Sequence, residues 1–210
     1  MKKFKIDNPF FSLMDKIGDL VILNILWIVC CLPVITAGAA SIAMFSVVMK
    51  MSAGEDPVII RTFFKAFKEN FKQSTWTFLL FLISGAFLLV DFLAAPTLPG
   101  LAGKLLLVGS VSFGVLWFWA LLYSFPVLLN FHAGIKETVQ KSLLMSFQNL
   151  PSTLAVSFLV LLPVITLFVF PDIAIYLLPF FLIIGPSCIA LGTAWFFNRI
   201  FTINNQGDSL

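Results

Sequence analysis

From Leu20 to Met49 the chain runs thirty residues without a charged side chain. A bilayer accommodates such a run, because crossing roughly 30 Å of hydrocarbon takes about 20 mostly apolar residues. Four more apolar runs follow, at 74–95 (interrupted only by Asp91), 105–131, 150–170 and 173–198. Hydrophobic residues make up 60% of the sequence and charged ones 11%, where a soluble domain carries about 25% charged. There is too little polar surface to face water. The expected fold is all-α, a polytopic transmembrane helical bundle forming one integral membrane domain over residues 1–210.

The first run is too long for a simple crossing. Thirty residues at 1.5 Å rise span about 45 Å, and fitting them into the hydrocarbon needs a tilt beyond the usual limit of about 40°. Pro33 lies near the middle of the run and breaks the helical hydrogen-bond ladder. A hairpin over 17–51, with legs 17–33 and 36–51, satisfies both constraints. Loop charge supports it. Cytoplasmic loops are enriched in Lys and Arg, and both flanks of the run are basic: Lys2, Lys3, Lys5 and Lys16 before it, Lys50, Arg61, Lys65, Lys68 and Lys72 after it. A hairpin puts both flanks on one side. Further legs at 74–95, 104–131, 152–170 and 174–198 then leave twelve of the thirteen basic residues on the cytoplasmic side. Six legs with both termini cytoplasmic, residues 1–16 included, is the expected arrangement; five spans with a long, kinked first helix is the alternative. Lys2–Lys5, the apolar stretch and Ala37-Gly38-Ala39 imitate a signal peptide, but Asp7, Asp15 and Asp19 interrupt its pattern, so the segment is expected to be retained.

Two further segments have helical periodicity with a polar side. In 59–73, Ile60, Phe63, Phe64, Phe67 and Phe71 fall on an arc of roughly 100°, and Arg61, Lys65, Lys68 and Lys72 on a separate stripe of roughly 60°. That is the pattern of a helix at the membrane surface, with anionic lipids of the cytoplasmic face as partners, or of a helix packing its Phe face on the bundle's inner end. In 135–150, Ile135, Val139, Leu143, Phe147 and Leu150 form a stripe beside Lys136, Glu137, Gln140 and Lys141. Each segment follows a leg containing Pro-Val (Pro33-Val34, Pro126-Val127) and leads into a span, which outlines a degenerate two-fold repeat.

Polar residues inside the bilayer are the candidate functional positions. They are Asn24, Thr36, Asp91 and Asn130. Asp91 sits about one turn from the outer end of its span, where hydration or a loop contact accommodates it. Asn24 is expected to join legs by hydrogen bonding, and Thr36 to satisfy backbone freed by Pro33. His132 is the single histidine and lies at an edge, so no multi-histidine metal site forms. Cys30, Cys31 and Cys188 all lie in apolar runs and read as small buried packing residues. A net charge of +3 leaves no nucleic-acid footprint. Hydrolase, dinucleotide-binding and P-loop signatures are missing from the sequence. No enzyme activity, cofactor or metal is expected.

Asn24-Ile25-Leu26-Trp27, Leu32-Pro33-Val34-Ile35-Thr36-Ala37-Gly38-Ala39-Ala40 and the stretch from Phe63 to Gln73 carry a resemblance. With Ser146-Phe147-Gln148-Asn149-Leu150-Pro151 as a further landmark, the chain resembles the YesL family of bacterial integral membrane proteins, a domain of unknown function. The resemblance implies a bacterial plasma membrane location and an accessory role beside carbohydrate ABC importer subunits. It supplies no catalytic residue. A permease-like small-solute transporter is the other expectation, and a polar cavity at mid-depth lined by Asn24 and Thr36 would favour it.

Overall fold

The computed structural model describes residues 9–131 and 134–207. Lys2, Lys3, Lys5 and His132 lie outside the described residues. Among those described the chain is helical, with α1 (Pro9–Cys31), α2 (Ala37–Ser52), α3 (Ile59–Ala94), α4 (Gly100–Phe131), α5 (Ile135–Gln148), α6 (Leu150–Val169) and α7 (Pro171–Gly207), and no strand. Five stretches are long and apolar enough to cross a membrane: Val34–Ser52, Ile59–Thr97, Gly100–Phe131, Leu150–Val169 and Tyr176–Arg199. α1 is not one of them, since Asp15, Lys16 and Asp19 occupy its first half and its apolar part begins only at Leu20.

The opening run breaks at Pro33. α1 stops at Cys31, Pro33 takes an extended conformation, and a 3-10 turn, Val34–Thr36, starts the second leg. Trp27 Nε1 donates to Ser41 Oγ at 3.4 Å across the break. In one straight helix these residues would stand about 21 Å apart. The run is therefore two helices turned toward each other. After replacement of the native cysteines, single cysteines at Met51 and Lys2 are expected to react with a membrane-impermeant thiol reagent from the same side. Opposite sidedness would mean that the run crosses once.

The boundary expected at 73/74, between a surface helix and a span, is not a break. α3 is one helix of 36 residues, about 54 Å long. Ser74 Oγ donates back to Asn70 O within it at 2.7 Å, and no proline or glycine interrupts 59–84. The repeat suggested by the two Pro-Val pairs is not matched either. Pro33 ends a helix, whereas Pro126 sits inside α4 without ending it.

Packing is concentrated at one end of the bundle. α2 runs along the first half of α3, whose seam Ile59, Phe63, Ala66, Asn70, Ser74, Thr77 and Phe81 is buried. The spacing of three and four residues is that of a close helix pair. A side chain at Gly38 would place its Cβ 2.5 Å from Ser74 O and 2.6 Å from Phe78 Cβ, so the two backbones meet there. Val47, Val48, Phe63, Tyr123, Ala194 and Phe197 join α2, α3, α4 and α7 in one core. Tyr123 and Phe197 meet edge to face with ring centroids 4.7 Å apart. The other ends of α3, α4, α6 and α7 expose Phe87, Phe113, Phe168 and Phe180, as helices facing hydrocarbon do.

The amphipathic segments bury different faces from those the hydrophobic stripes suggest. On α3, Phe63 is buried, but Ile60, Phe64 and Phe71 are exposed. On α5 the buried residues are Thr138, Ser142, Met145 and Ser146, while Leu144 and Phe147 face outward. α5 folds back along α4, with Phe147 against Trp119 (5.8 Å between centroids) and Lys141 over the Phe131 ring (4.6 Å). Small hydroxyl residues let two membrane helices approach closely, which is why α5 turns them inward. Cys188, expected to be buried, is exposed, and Cys30 and Cys31 are half-buried.

Candidate functional site

Asn24 is fully buried on α1, and its Nδ2 donates to Leu182 O of α7 at 2.6 Å. The acceptor is significant. Leu182 lies four residues before Pro186, which lies inside α7 and has no N–H to offer that carbonyl. Asn24 thus supplies, from another helix, the donor that the proline removes. Its Oδ1 is buried with no partner among the described residues.

Thr36 does comparable work at the first break. Its Oγ1 lies 2.5 Å from Cys30 O, a carbonyl of the last turn of α1, and 2.7 Å from Pro33 O, which also accepts from the Thr36 backbone N–H at 2.9 Å. Asn130 is exposed at the end of α4 and donates to Pro126 O one turn earlier, at 2.8 Å. Asp91 is exposed on α3 and lines a groove between α3, α4 and α5. The four residues sit on separate elements, and none bonds to another.

The cationic stripe is intact. Arg61, Lys65, Lys68 and Lys72 are all exposed along one side of α3. Lys65 stands 3.9 Å from Glu69, both well exposed, a pair worth about 0–1 kcal/mol. Three faces therefore share the first half of α3: the seam against α2, the outward Ile60, Phe64 and Phe71, and the cations beyond them. On α5, Lys141 bonds Glu137 at 2.8 Å and holds its carboxyl below the usual carboxylate range.

Two further polar junctions hold the helices together, one at Tyr123 and one at Asn198, a polar residue that ends the last apolar run. Tyr123 OH, fully buried, lies 2.7 Å from Thr153 Oγ1, which in turn reaches Ser146 O at 2.8 Å. With Tyr123 donating to Thr153 and Thr153 to the carbonyl, this chain ties α4, α6 and α5 together. Asn198 Nδ2 donates to Met49 O at 2.8 Å and to Ser52 Oγ, fastening α7 to the last turn of α2. Thr153 at the start of α6 and Ser52 at the end of α2 are the partners that helix-end hydroxyls could have signalled.

The cavities are apolar. One of about 380 Å3 lies between α1, α2, α4, α6 and α7, lined by side chains such as Phe45, Phe125, Val160, Phe181 and Ile189, with Ser41 and Thr193 as its hydroxyls. A groove of about 680 Å3 on α3 and α4 is lined by Leu82, Leu89, Phe92, Val111, Trp117 and other residues, nearly all apolar. Neither includes Asn24 or Thr36. The described residues hold no group of three or more His, Cys, Asp or Glu side chains arranged to bind a metal ion.

Residues 20–92, from the apolar half of α1 nearly to the end of α3, match the profile of the family described as "Protein of unknown function, DUF624". They contain the Pro33 break, the α2–α3 pair and the cationic stripe. Uncharacterized protein YesL of Bacillus subtilis (strain 168) is 29% identical over 139 residues, 64% of this chain. Over that part the chain is similar to YesL. The aligned part spans 65% of that relative, just under two thirds of its length. No solved structure matches the chain. The resemblance read from Asn24 to Gln73 thus coincides with the matched segment, and that segment holds two of the backbone-serving side chains, Asn24 and Thr36.

Proposed function

We propose that the protein is a non-enzymatic accessory component of a bacterial plasma membrane, working beside carbohydrate ABC importers with both termini cytoplasmic. The observation that carries this reading is the open amphipathic face of α3, where Ile60, Phe64 and Phe71 stand exposed beside Arg61, Lys65, Lys68 and Lys72. Because α3 continues unbroken into its apolar part, those cations are strung along the helix axis. Arg61 stands about 16 Å beyond Lys72, and the headgroup layer on each side is about 5–8 Å thick. With α3 near the membrane normal, Lys72 and Lys68 reach anionic headgroups, while Lys65 and Arg61 reach a protein in the aqueous phase. The importer association itself comes from the YesL resemblance.

The interior favours this reading over a permease. Asn24 and Thr36 are engaged with backbone carbonyls, and the cavity walls are mostly Phe, Leu, Ile and Val. The test is affinity purification in mild detergent from cells grown on the imported sugar. Importer subunits should be recovered above the background of an untagged strain. Changing Lys65, Lys68 and Lys72 together to Glu should reduce that recovery about ten-fold, the effect of about 1.4 kcal/mol, while Lys104→Glu should not. Recovery at background with the wild-type chain would overturn the importer association. Undiminished recovery with the triple variant would remove the stripe from it.

A further inference from the structure

The groove that holds Asp91 differs from the other cavities. It has a volume of about 580 Å3, and its lining is apolar apart from Ser84 and Asp91. Ser84 is engaged, since its hydroxyl accepts from Trp117 Nε1 at 2.9 Å and donates to Leu80 O at 2.8 Å. Asp91 remains as a carboxyl group at the outer end. At the inner end, Val139 and Leu143 of α5 close the floor, near Ala120. The sides are open, for Leu80, Phe87 and Phe113 on the rim are 47%, 70% and 65% exposed.

Length and charge together define the occupant. Leu80 and Asp91 are eleven residues apart on α3, about 16 Å along its axis, which matches one leaflet, half of about 30 Å of hydrocarbon. A site with apolar walls, a closed inner floor and one carboxylate at its outer end is complementary to an acyl chain topped by a cation. We propose that this groove binds a membrane lipid whose headgroup carries a primary amine. The acyl chain lies along α3 and α4 down to Leu143, and Asp91 accepts hydrogen bonds from the ammonium group. Asp91 lies one turn from the end of its span, at the depth of a lipid headgroup, and the ammonium offers it a charge-assisted hydrogen bond there. A choline headgroup brings the same charge with no N–H to donate, and a glycerol headgroup leaves two negative groups facing each other.

The test uses the full chain, purified in detergent, stripped of lipid and offered dimyristoyl lipids with ethanolamine, choline or glycerol headgroups, with retained lipid counted by native mass spectrometry. The ethanolamine lipid should be retained about ten-fold more than the glycerol lipid, as a charge-assisted hydrogen bond confers, with the choline lipid between them. Asp91→Asn should erase the headgroup preference. Leu116→Trp, which fills the groove wall, should lower retention of all three lipids, and Leu143→Trp serves in its place should the first variant fail to fold. Lys104→Gln should leave the preference unchanged. Retention blind to the headgroup, or a preference that survives Asp91→Asn, would reduce the groove to ordinary annular lipid and overturn the proposal.

Discussion

Gly38→Val should unfold the α2–α3 pair or force it apart, with the largest loss of stability of any single substitution considered for this chain. A Cβ at this position meets the Ser74 carbonyl oxygen and Phe78 Cβ at 2.5 and 2.6 Å. Neither is the yielding end of a long side chain; both belong to the body of α3. Relief requires the helices to separate, which also loosens Val47, Val48 and Phe63 in the core. Overpacking of this kind costs about 1–3 kcal/mol, sometimes more, and valine adds two further methyl groups to the clash. Gly38→Ala should already lower the melting temperature in detergent by about 5–10 °C, and Gly38→Val should leave little monodisperse protein. Gly109, where an added methyl group would meet nothing within 4 Å, is the control, and Gly109→Ala should be neutral. If Gly38→Ala melts with the control, the close approach of α2 and α3 is wrong.

Asn24→Leu should cost about 1–2 kcal/mol, because it leaves the Leu182 carbonyl without a donor in an apolar run of α7 where no water replaces it. Hydrogen bonds between membrane helices average only about 0.6 kcal/mol. This one is expected to exceed that average because Pro186 removes the carbonyl's local alternative. The dependence can be tested directly. In a Pro186→Ala background the helix regains its own N–H, and Asn24→Leu should lose most of its effect. Residues sharing one hydrogen bond are expected to couple in such a cycle. Additive costs in the double variant would separate Asn24 from the proline gap. Thermal unfolding of the four proteins in one detergent is sufficient to decide.

The sequence conveys the helices and the first break directly. Charge-free runs require membrane-length helices whatever their neighbours, and Pro33 cannot continue a helical ladder. It also indicates what Asn24 and Thr36 do, since a polar side chain in hydrocarbon seeks another polar group. Which carbonyl Asn24 serves was not legible, because Leu182 is 158 positions away and only the tertiary fold brings it near. The amphipathic segments differ from the reading that packs their apolar stripes on the bundle for another reason. Hydrophobic periodicity assumes water outside and oil inside. At Phe64, Phe71, Leu144 and Phe147 the apolar side chain is the outward one, while Ala66, Asn70, Ser142 and Ser146 occupy the helix contacts. In a membrane protein small size decides what lies between helices, and a stripe of small polar residues marks the seam. Between 73 and 74 the composition changes while the conformation does not. Ser74 and Thr75 are compatible with an uninterrupted helix, and the seam from Ile59 to Phe81 passes through without changing register.

That uninterrupted helix makes α3 a lever. Its first half is held along α2 from Ile59 to the Gly38 contact at Ser74, and that contact is the fulcrum of the half that carries Asp91. The distance from Ser74 to Asp91 is about 25 Å along the axis, so a 10° swing about the fulcrum carries Asp91 sideways by about 4 Å. Any tilt of the packed half is therefore carried along one continuous helix to its far end as displacement.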